Sequence, residues 1–151
     1  MDLSYRRIDA SDANVLGHLL EIEKQAFGDT ALSLYEVVPI LRNGRVYAAY
    51  DETRICAAVY FLRNFDDPAR AYLMSVGVKQ KYRGTGIGPA LIEFALDDIK
   101  KTGVKSVALM VDPANYQALS VYREKLGFNA VENRESEYGM GEDRLVMRRE
   151  L

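Results

Sequence analysis

The order of segments in this chain predicts an α/β (α+β) domain, a sheet flanked by helices. Three observations carry that expectation. Val46 to Tyr50 and Arg54 to Leu62 are rich in β-branched and aromatic residues. Only Asp51-Glu52-Thr53 separates them, so they read as an antiparallel hairpin. The apolar run from Tyr72 to Val78 leads into the glycine-rich stretch Arg83 to Gly88. Beyond it Ile87, Leu91, Ala95 and Ile99 recur every fourth residue, the mark of one helix face. Val104 to Val111 is apolar on both alternations, as a buried central strand is.

The remaining elements follow in order. Tyr5 to Asp9 reads as a short first strand, with Asp9 or Ser11 as cap for the next helix. Leu16, Leu19, Leu20, Glu23 and Phe27 outline that helix, and Gly28-Asp29 ends it. A second helix, Ser33 to Leu41, starts on Ser33 and is expected to be disturbed near Pro39. Asn43-Gly44 is a turn before the hairpin, and Asp66-Asp67-Pro68 is a loop after it. The strand into the glycines spans Ala71 to Val78. The helix from Gly86 carries Pro89 in its first turn, where a missing N–H costs little, and ends at Thr102-Gly103. Asp112 to Asn115 is a turn, and a helix then runs to Leu126 and stops at Gly127. Phe128 to Val131 and Arg144 to Met147 are the last strands, with a polar, mobile-looking segment from Glu132 to Asp143 between them.

Composition bounds the function. The 151 residues are expected to form a single domain, 1–151, with a proper core. A hydrophobic share of 48% and a charged share of 28% are those of a globular protein. No apolar run is long enough for a membrane span and no signal-peptide pattern opens the chain, so the expected location is cytoplasmic, with no membrane partner. Net charge −2 argues against nucleic acid and mildly favours cationic substrates. Cys56 is the only cysteine and reads as a core residue; His18 is the only histidine and takes no catalytic role. No metal is called for.

The stretch Arg83-Gly84-Thr85-Gly86-Ile87-Gly88 carries the chemistry. Glycines let the backbone turn tightly and approach a ligand, and bare N–H groups at a helix start attract an anion. The simplest reading is a pyrophosphate cradle; the plain alternative is a glycine-rich helix entry with no ligand. The nucleotide P-loop pattern does not fit, and the third glycine of the dinucleotide fingerprint would fall on Pro89. The pattern that fits is Arg-x-x-Gly-x-Gly at Arg83, Gly86 and Gly88. A second string follows, Asn115-x-x-Ala118-x-x-x-Tyr122-x-x-x-Leu126-Gly127-Phe128. Asn115 and Tyr122 are seven residues apart, which on an ideal helix is two turns and one face. Taken alone they read as a helix cap and a core aromatic.

On these two signatures and the order of elements the chain resembles the GNAT family of N-acetyltransferases. The resemblance covers nearly the whole chain, strongly from Tyr72 to Phe128 and weakly before Arg45. It implies the family's fold, a mixed, mostly antiparallel and centrally splayed sheet. It implies acetyl-CoA as cosubstrate and direct transfer of acetyl to an amine. It assigns Val76, Gly77 and Val78 to the pantetheine arm, with the Val78 N–H polarising the carbonyl. It assigns Arg83, Gly84, Thr85, Gly86, Ile87, Gly88 and Pro89 to the pyrophosphate. Asn115 would hold the pantetheine arm, and Tyr122 would face the thioester sulfur and protonate the leaving thiolate.

The closest likeness within the family is to the N-terminal protein acetyltransferases, the ribosomal-protein-alanine type among them. It rests on Ile22-Glu23-Lys24-Gln25-Ala26-Phe27, on Tyr72-Leu73-Met74, and on Glu137-Tyr138 with Glu142 to Met147. It implies a catalytic role for Tyr72, otherwise an ordinary strand aromatic. It implies acceptor contacts for Phe27, Glu23 and Tyr138. Glu21, Glu23 and Glu36 are otherwise a solvated face, and Tyr138 otherwise a loop anchor. The chain departs from the ribosomal branch at Met110, where that branch has a glutamate base. At pH 7.4 a lysine amine is only ~0.1% neutral, against roughly a fifth to a third of an α-amine. A site without a strong base therefore suits α-amines, with Tyr72 and an ordered water as relay, or Glu23 or Asp112 as base. The favoured acceptor is a protein N-terminus. A small amine (polyamine or amino acid) and a non-catalytic acyl-CoA sensor are the rivals. Oligomeric state is not readable.

Overall fold

The computed structural model describes residues 1–12 and 14–151. Its strands are β1 (Leu3–Arg7), β2 (Arg45–Asp51), β3 (Arg54–Arg63), β4 (Arg70–Val78), β5 (Ser106–Val111), β6 (Asn129–Arg134) and β7 (Arg144–Glu150). Its helices are α1 (Leu16–Phe27), α2 (Leu34–Asn43), α3 (Ile87–Lys100) and α4 (Tyr116–Ser120), the last continued by a π-helical turn over Val121–Lys125. The strands form one seven-stranded sheet in the order β1-β2-β3-β4-β5-β7-β6. The pairs β1/β2, β2/β3, β5/β7 and β6/β7 are antiparallel, and β4/β5 is parallel. The β4/β5 ladder pairs Arg70 with Ser106, Ala71 with Val107 and Tyr72 with Ala108, while β4 itself continues to Val78.

The chain forms two compact units, Met1–Leu62 with Met74–Asp98, and Arg63–Leu73 with Ile99–Leu151. In the first, β2 is buried along its length, so its alternate side chains serve two cores. Val46, Ala48 and Tyr50 join Leu19 and Ile22 of α1 and Val37 and Ile40 of α2. Tyr47 points the other way, edge-on to Phe94 of α3, and donates to Asp98 at 2.6 Å. Gly77 lets α1 lie close on β4: a Cβ there would stand 3.0 Å from Ile22 Cγ2. In the second unit, β7 pairs on both edges, with β5 and β6.

Several expectations change. The first strand lies two residues earlier than expected. Asp9 instead folds a turn, accepting the Ser11 N–H and Oγ–H at 2.9 Å each. It does not cap α1, which starts after Val15 without a side-chain cap. Ser33 and Glu36 form a reciprocal capping box on α2, the hydrogen bonds that satisfy a helix start. That helix runs unbroken through Pro39, because Pro39 lies on its exposed side while Val37 and Ile40 anchor the other. A bulge between Ala49 and Tyr50 makes Cys56 the extra residue of β3, and its buried Sγ–H meets the Ala49 carbonyl at 3.4 Å. The segment before β7 is tied down: Ser136 N–H donates to Asp143 at 2.8 Å and Glu142 N–H to the Gly139 carbonyl at 2.9 Å. Strand β6 takes the residues up to Arg134 from it.

Candidate active site

In the first unit the glycine stretch has the backbone a cradle needs. Gly84 and Gly86 take φ of +75° and +82°, where a side chain is strained. The space beside both is open, with no atom within 4 Å of where a Cβ would sit. Gly88 is tighter: a Cβ there would be 3.4 Å from Val78 Cγ2. Helix α3 begins at Ile87, so the first N–H groups of the helix lack partners inside it. Arg83 clamps the approach, donating from Nε to the Val78 carbonyl at 3.2 Å and from Nη2 to the Gln25 carbonyl at 3.0 Å. Thr85 turns its hydroxyl to the Tyr82 carbonyl. Ile87 is buried and Pro89 half-buried, so they anchor the helix start. Open glycines, free helix-start amides and a nearby guanidinium are a donor set that fits a pyrophosphate.

Val76, Gly77 and Val78 end β4 in the same unit. Glu23 lies just behind them and is 1% exposed. Its oxygens accept the Ser75 hydroxyl at 2.7 Å and the Leu32 N–H at 3.1 Å. Burial raises its pKa, against the pull of those two bonds. Of the three glutamates Glu21 and Glu36 are exposed, as a solvated face requires, with Glu21 3.9 Å from Lys79 Nζ. Glu36 also caps α2 from that exposed position, whereas Glu23 is buried, held by donors 9 and 52 residues away. Phe27, at the end of α1, is 40% exposed. His18 is exposed.

In the second unit Asn115 caps α4, its Oδ1 accepting the Ala118 N–H at 3.2 Å. Tyr122 lies within the π-helical turn, where the Leu126 N–H reaches back to the Val121 carbonyl at 3.2 Å. The wide turn closes beyond Tyr122, while Leu119 N–H still reaches the Asn115 carbonyl at 3.0 Å in the ordinary α manner. Gly127 takes φ +68°, and the Phe128 N–H closes the end on the Tyr122 carbonyl at 2.9 Å. Tyr122 is half-buried with its ring edge-on to Phe128, and burial pushes its phenol up.

Tyr72, on β4, shares a side-chain hydrogen bond with Tyr138. Burial first, then Tyr138, push the Tyr72 phenol up to about 12. Tyr138 is 60% exposed, with the Arg144 guanidinium 4.9 Å over its ring. Arg134 Nη1 stands 3.9 Å from Met110 Sδ, and Arg134 Nε pairs with Glu132 at 3.3 Å. Asp112 uses its carboxylate to hold the turn, accepting the Ala114 N–H at 2.9 Å. Sequence reasoning missed Arg134 and Ser75, since neither lies in a motif. Among the described residues no helix is long and apolar enough to cross a membrane.

Residues 16–128 match the model of the acetyltransferase (GNAT) family. The chain belongs to that family. Acetyl-CoA is the family's cosubstrate, and solved structures of the fold hold CoA. Among curated relatives it is similar to the [ribosomal protein bS18]-alanine N-acetyltransferase of Escherichia coli K12. The two are 37% identical over 68 residues, 45% of each chain. It is also similar to an N-alpha-acetyltransferase of Saccharolobus solfataricus, 32% identical over 83 residues, 54% of this chain and 49% of that one. The match spans about half the length of these relatives. The crystal structure of the Escherichia coli ribosomal-protein-S18-alanine N-acetyltransferase shares the GNAT fold, with TM-score 0.80 and 23% identity over 98% of this chain and 93% of that one.

Proposed function

We propose that this GNAT protein transfers acetyl from acetyl-CoA to the α-amine of a protein N-terminus. The observation that carries the acceptor is Met110. A thioether accepts no proton, and its neighbour is the cationic Arg134, so this position offers no base. An α-amine needs little help, because roughly a fifth to a third of it is already neutral at pH 7.4. The likeness to two N-terminal acetyltransferases points the same way.

Acetyl-CoA supplies an activated acetyl thioester. The amides of Gly84 to Gly88 and the charge of Arg83 hold the pyrophosphate, with Pro89 fixing the helix start. Val76 to Val78 and Asn115 hold the pantetheine arm. The Val78 N–H donates to the carbonyl oxygen as negative charge gathers there. The amine nitrogen bonds the carbonyl carbon, the carbon–sulfur bond breaks, and the amine proton leaves to water. Tyr122 gives its proton to the departing sulfur and regains one from water, since a phenol raised by burial is protonated at neutral pH. Tyr72 acts as a hydrogen-bonding phenol for the acceptor. At a pKa of about 12 only about 1 in 40,000 molecules is ionised at pH 7.4, so Tyr72 is no base. Phe27 and Tyr138 contact the acceptor.

The test is transfer of labelled acetyl to peptides with free or blocked N-termini, with and without lysine, beside polyamines and amino acids. Acetylation confined to free N-termini is the expected result. Labelling of lysine in blocked peptides overturns the argument from Met110, and labelling confined to small amines overturns the acceptor.

A further inference from the structure

Glu23 is one of two polar or charged residues in the buried set, and the only charged one among the described residues. A carboxylate taken out of water is strongly disfavoured unless hydrogen bonds offset the lost hydration. Here the two bonds join distant parts of the first unit. One goes to Leu32, beyond the turn Gly28–Thr30 that ends α1. The other goes to Ser75 on β4, the residue before Val76-Gly77-Val78. Helix α1 is packed on the same strand at Gly77, where a Cβ would stand 3.0 Å from Ile22 Cγ2 and crowd it. The hydroxyl of Tyr60, fully buried on β3, lies in the field of Glu23 and has no hydrogen-bond partner among the described residues. Phe27 sits one helical turn beyond Glu23, half-exposed.

We propose that Glu23 is a positioning residue for the acceptor: its buried carboxyl ties the segment after α1, through Leu32, to Ser75 on β4 and so fixes the Phe27 turn against the strand that receives the thioester. This rests on the transferase reading given above. Glu23 touches no reacting atom. It is neither the solvated charge nor the substrate contact that its place in the sequence suggested, because both its oxygens are engaged inside the fold. Its removal weakens acceptor binding and leaves the acetyl-CoA amides of Gly84 to Gly88 in place.

The variants Glu23→Ala, Glu23→Gln and Ser75→Ala test this, assayed with whichever amine the wild type acetylates best in the panel above. Glu23→Ala raises the acceptor KM tenfold or more, with kcat within threefold and the acetyl-CoA KM within twofold. Hydrogen exchange at the Leu32 amide speeds up tenfold or more in the same variant, a readout independent of turnover. Glu23→Gln, whose amide keeps an acceptor for Leu32 and a donor for Ser75, restores most of the acceptor KM. Ser75→Ala falls between. A freed Leu32 amide with an unchanged acceptor KM overturns the proposal and leaves a purely structural tie. A Glu23→Gln variant that loses kcat and the acid limb of its pH profile overturns it in favour of a catalytic base. Transfer by the wild type to no amine overturns the transferase reading and the proposal with it, whereas an intact Leu32 exchange rate in Glu23→Ala overturns the tie alone.

Discussion

Arg134 holds its guanidinium Nη1 3.9 Å from the sulfur of Met110, with Glu132 at 3.3 Å and Glu137 at 3.9 Å on its Nε. A carboxylate installed at 110 would therefore meet a cation, which favours its charged form and weakens it as a base. Met110→Glu alone should change the rate on a lysine peptide less than threefold. Met110→Glu with Arg134→Gln should raise that rate about tenfold or more, toward the ~10²–10⁴ that a positioned base contributes. Initial rates on a blocked lysine peptide check this. A gain in the single variant would show that Arg134 does not govern the position.

Tyr122 is held as a phenol by burial, with Phe128 packed on its ring. Tyr122→Phe removes the proton and keeps the shape. The kcat should fall by ~10²-fold or more, as loss of a general acid does, with the acetyl-CoA Kd within threefold. Stopped transfer assays and calorimetric titration with CoA separate the two. An unchanged kcat would mean that the thiolate leaves unassisted or that water protonates it.

How much of this was legible in the sequence follows from which forces were local. The tight glycine turn was legible because positive φ demands glycine at Gly84 and Gly86, whatever the rest of the chain does. The hairpin was legible from alternation and a short turn. The π-helical turn at Tyr122 was not. Its marker is a backbone bond from the Leu126 N–H to the Val121 carbonyl, and Gly127 suits an α-helical end equally well. Pro39 misled because a propensity for breaking was outweighed by the packing of Val37 and Ile40. Glu23 misled because its partner Ser75 is 52 residues away, beyond the reach of any periodicity. Arg134 meets Met110 across 24 residues, with no spacing to betray it.

Gly86 separates backbone strain from ligand contact. Its φ is +82° and nothing lies within 4 Å of where a methyl would stand, so Gly86→Ala costs only the strain of a left-handed backbone, about 1–2 kcal/mol. In a domain of this length about 1 kcal/mol lowers Tm by about 2–4 °C. The affinity for CoA should fall further, tenfold or more, since the new methyl occupies the space a pyrophosphate needs. Thermal melts with and without CoA measure both. A full ligand-induced rise in Tm in the variant would remove the cradle from the binding site.

Tyr72 sets an alkaline limit. Its phenol is pushed up to about 12 in the folded chain, by burial first and then by Tyr138, from an unfolded value near 10. The folded state thus holds this proton more tightly than the unfolded state does. The stabilisation is fully present below pH 10 and is lost as pH rises from about 10 toward 12. Tyr47, raised to about 12 by burial and by its bond to Asp98, loses its share over the same window. Tyr72→Phe should therefore flatten the fall of Tm between pH 10 and pH 11, while at pH 7 it loses only the hydrogen bond to Tyr138, about 0.5–1.5 kcal/mol. Melts of wild type and Tyr72→Phe at pH 7, 10 and 11 decide it. Parallel curves would mean that Tyr72 titrates alike in the folded and unfolded chain, and that its phenol is open enough to serve as a base after all.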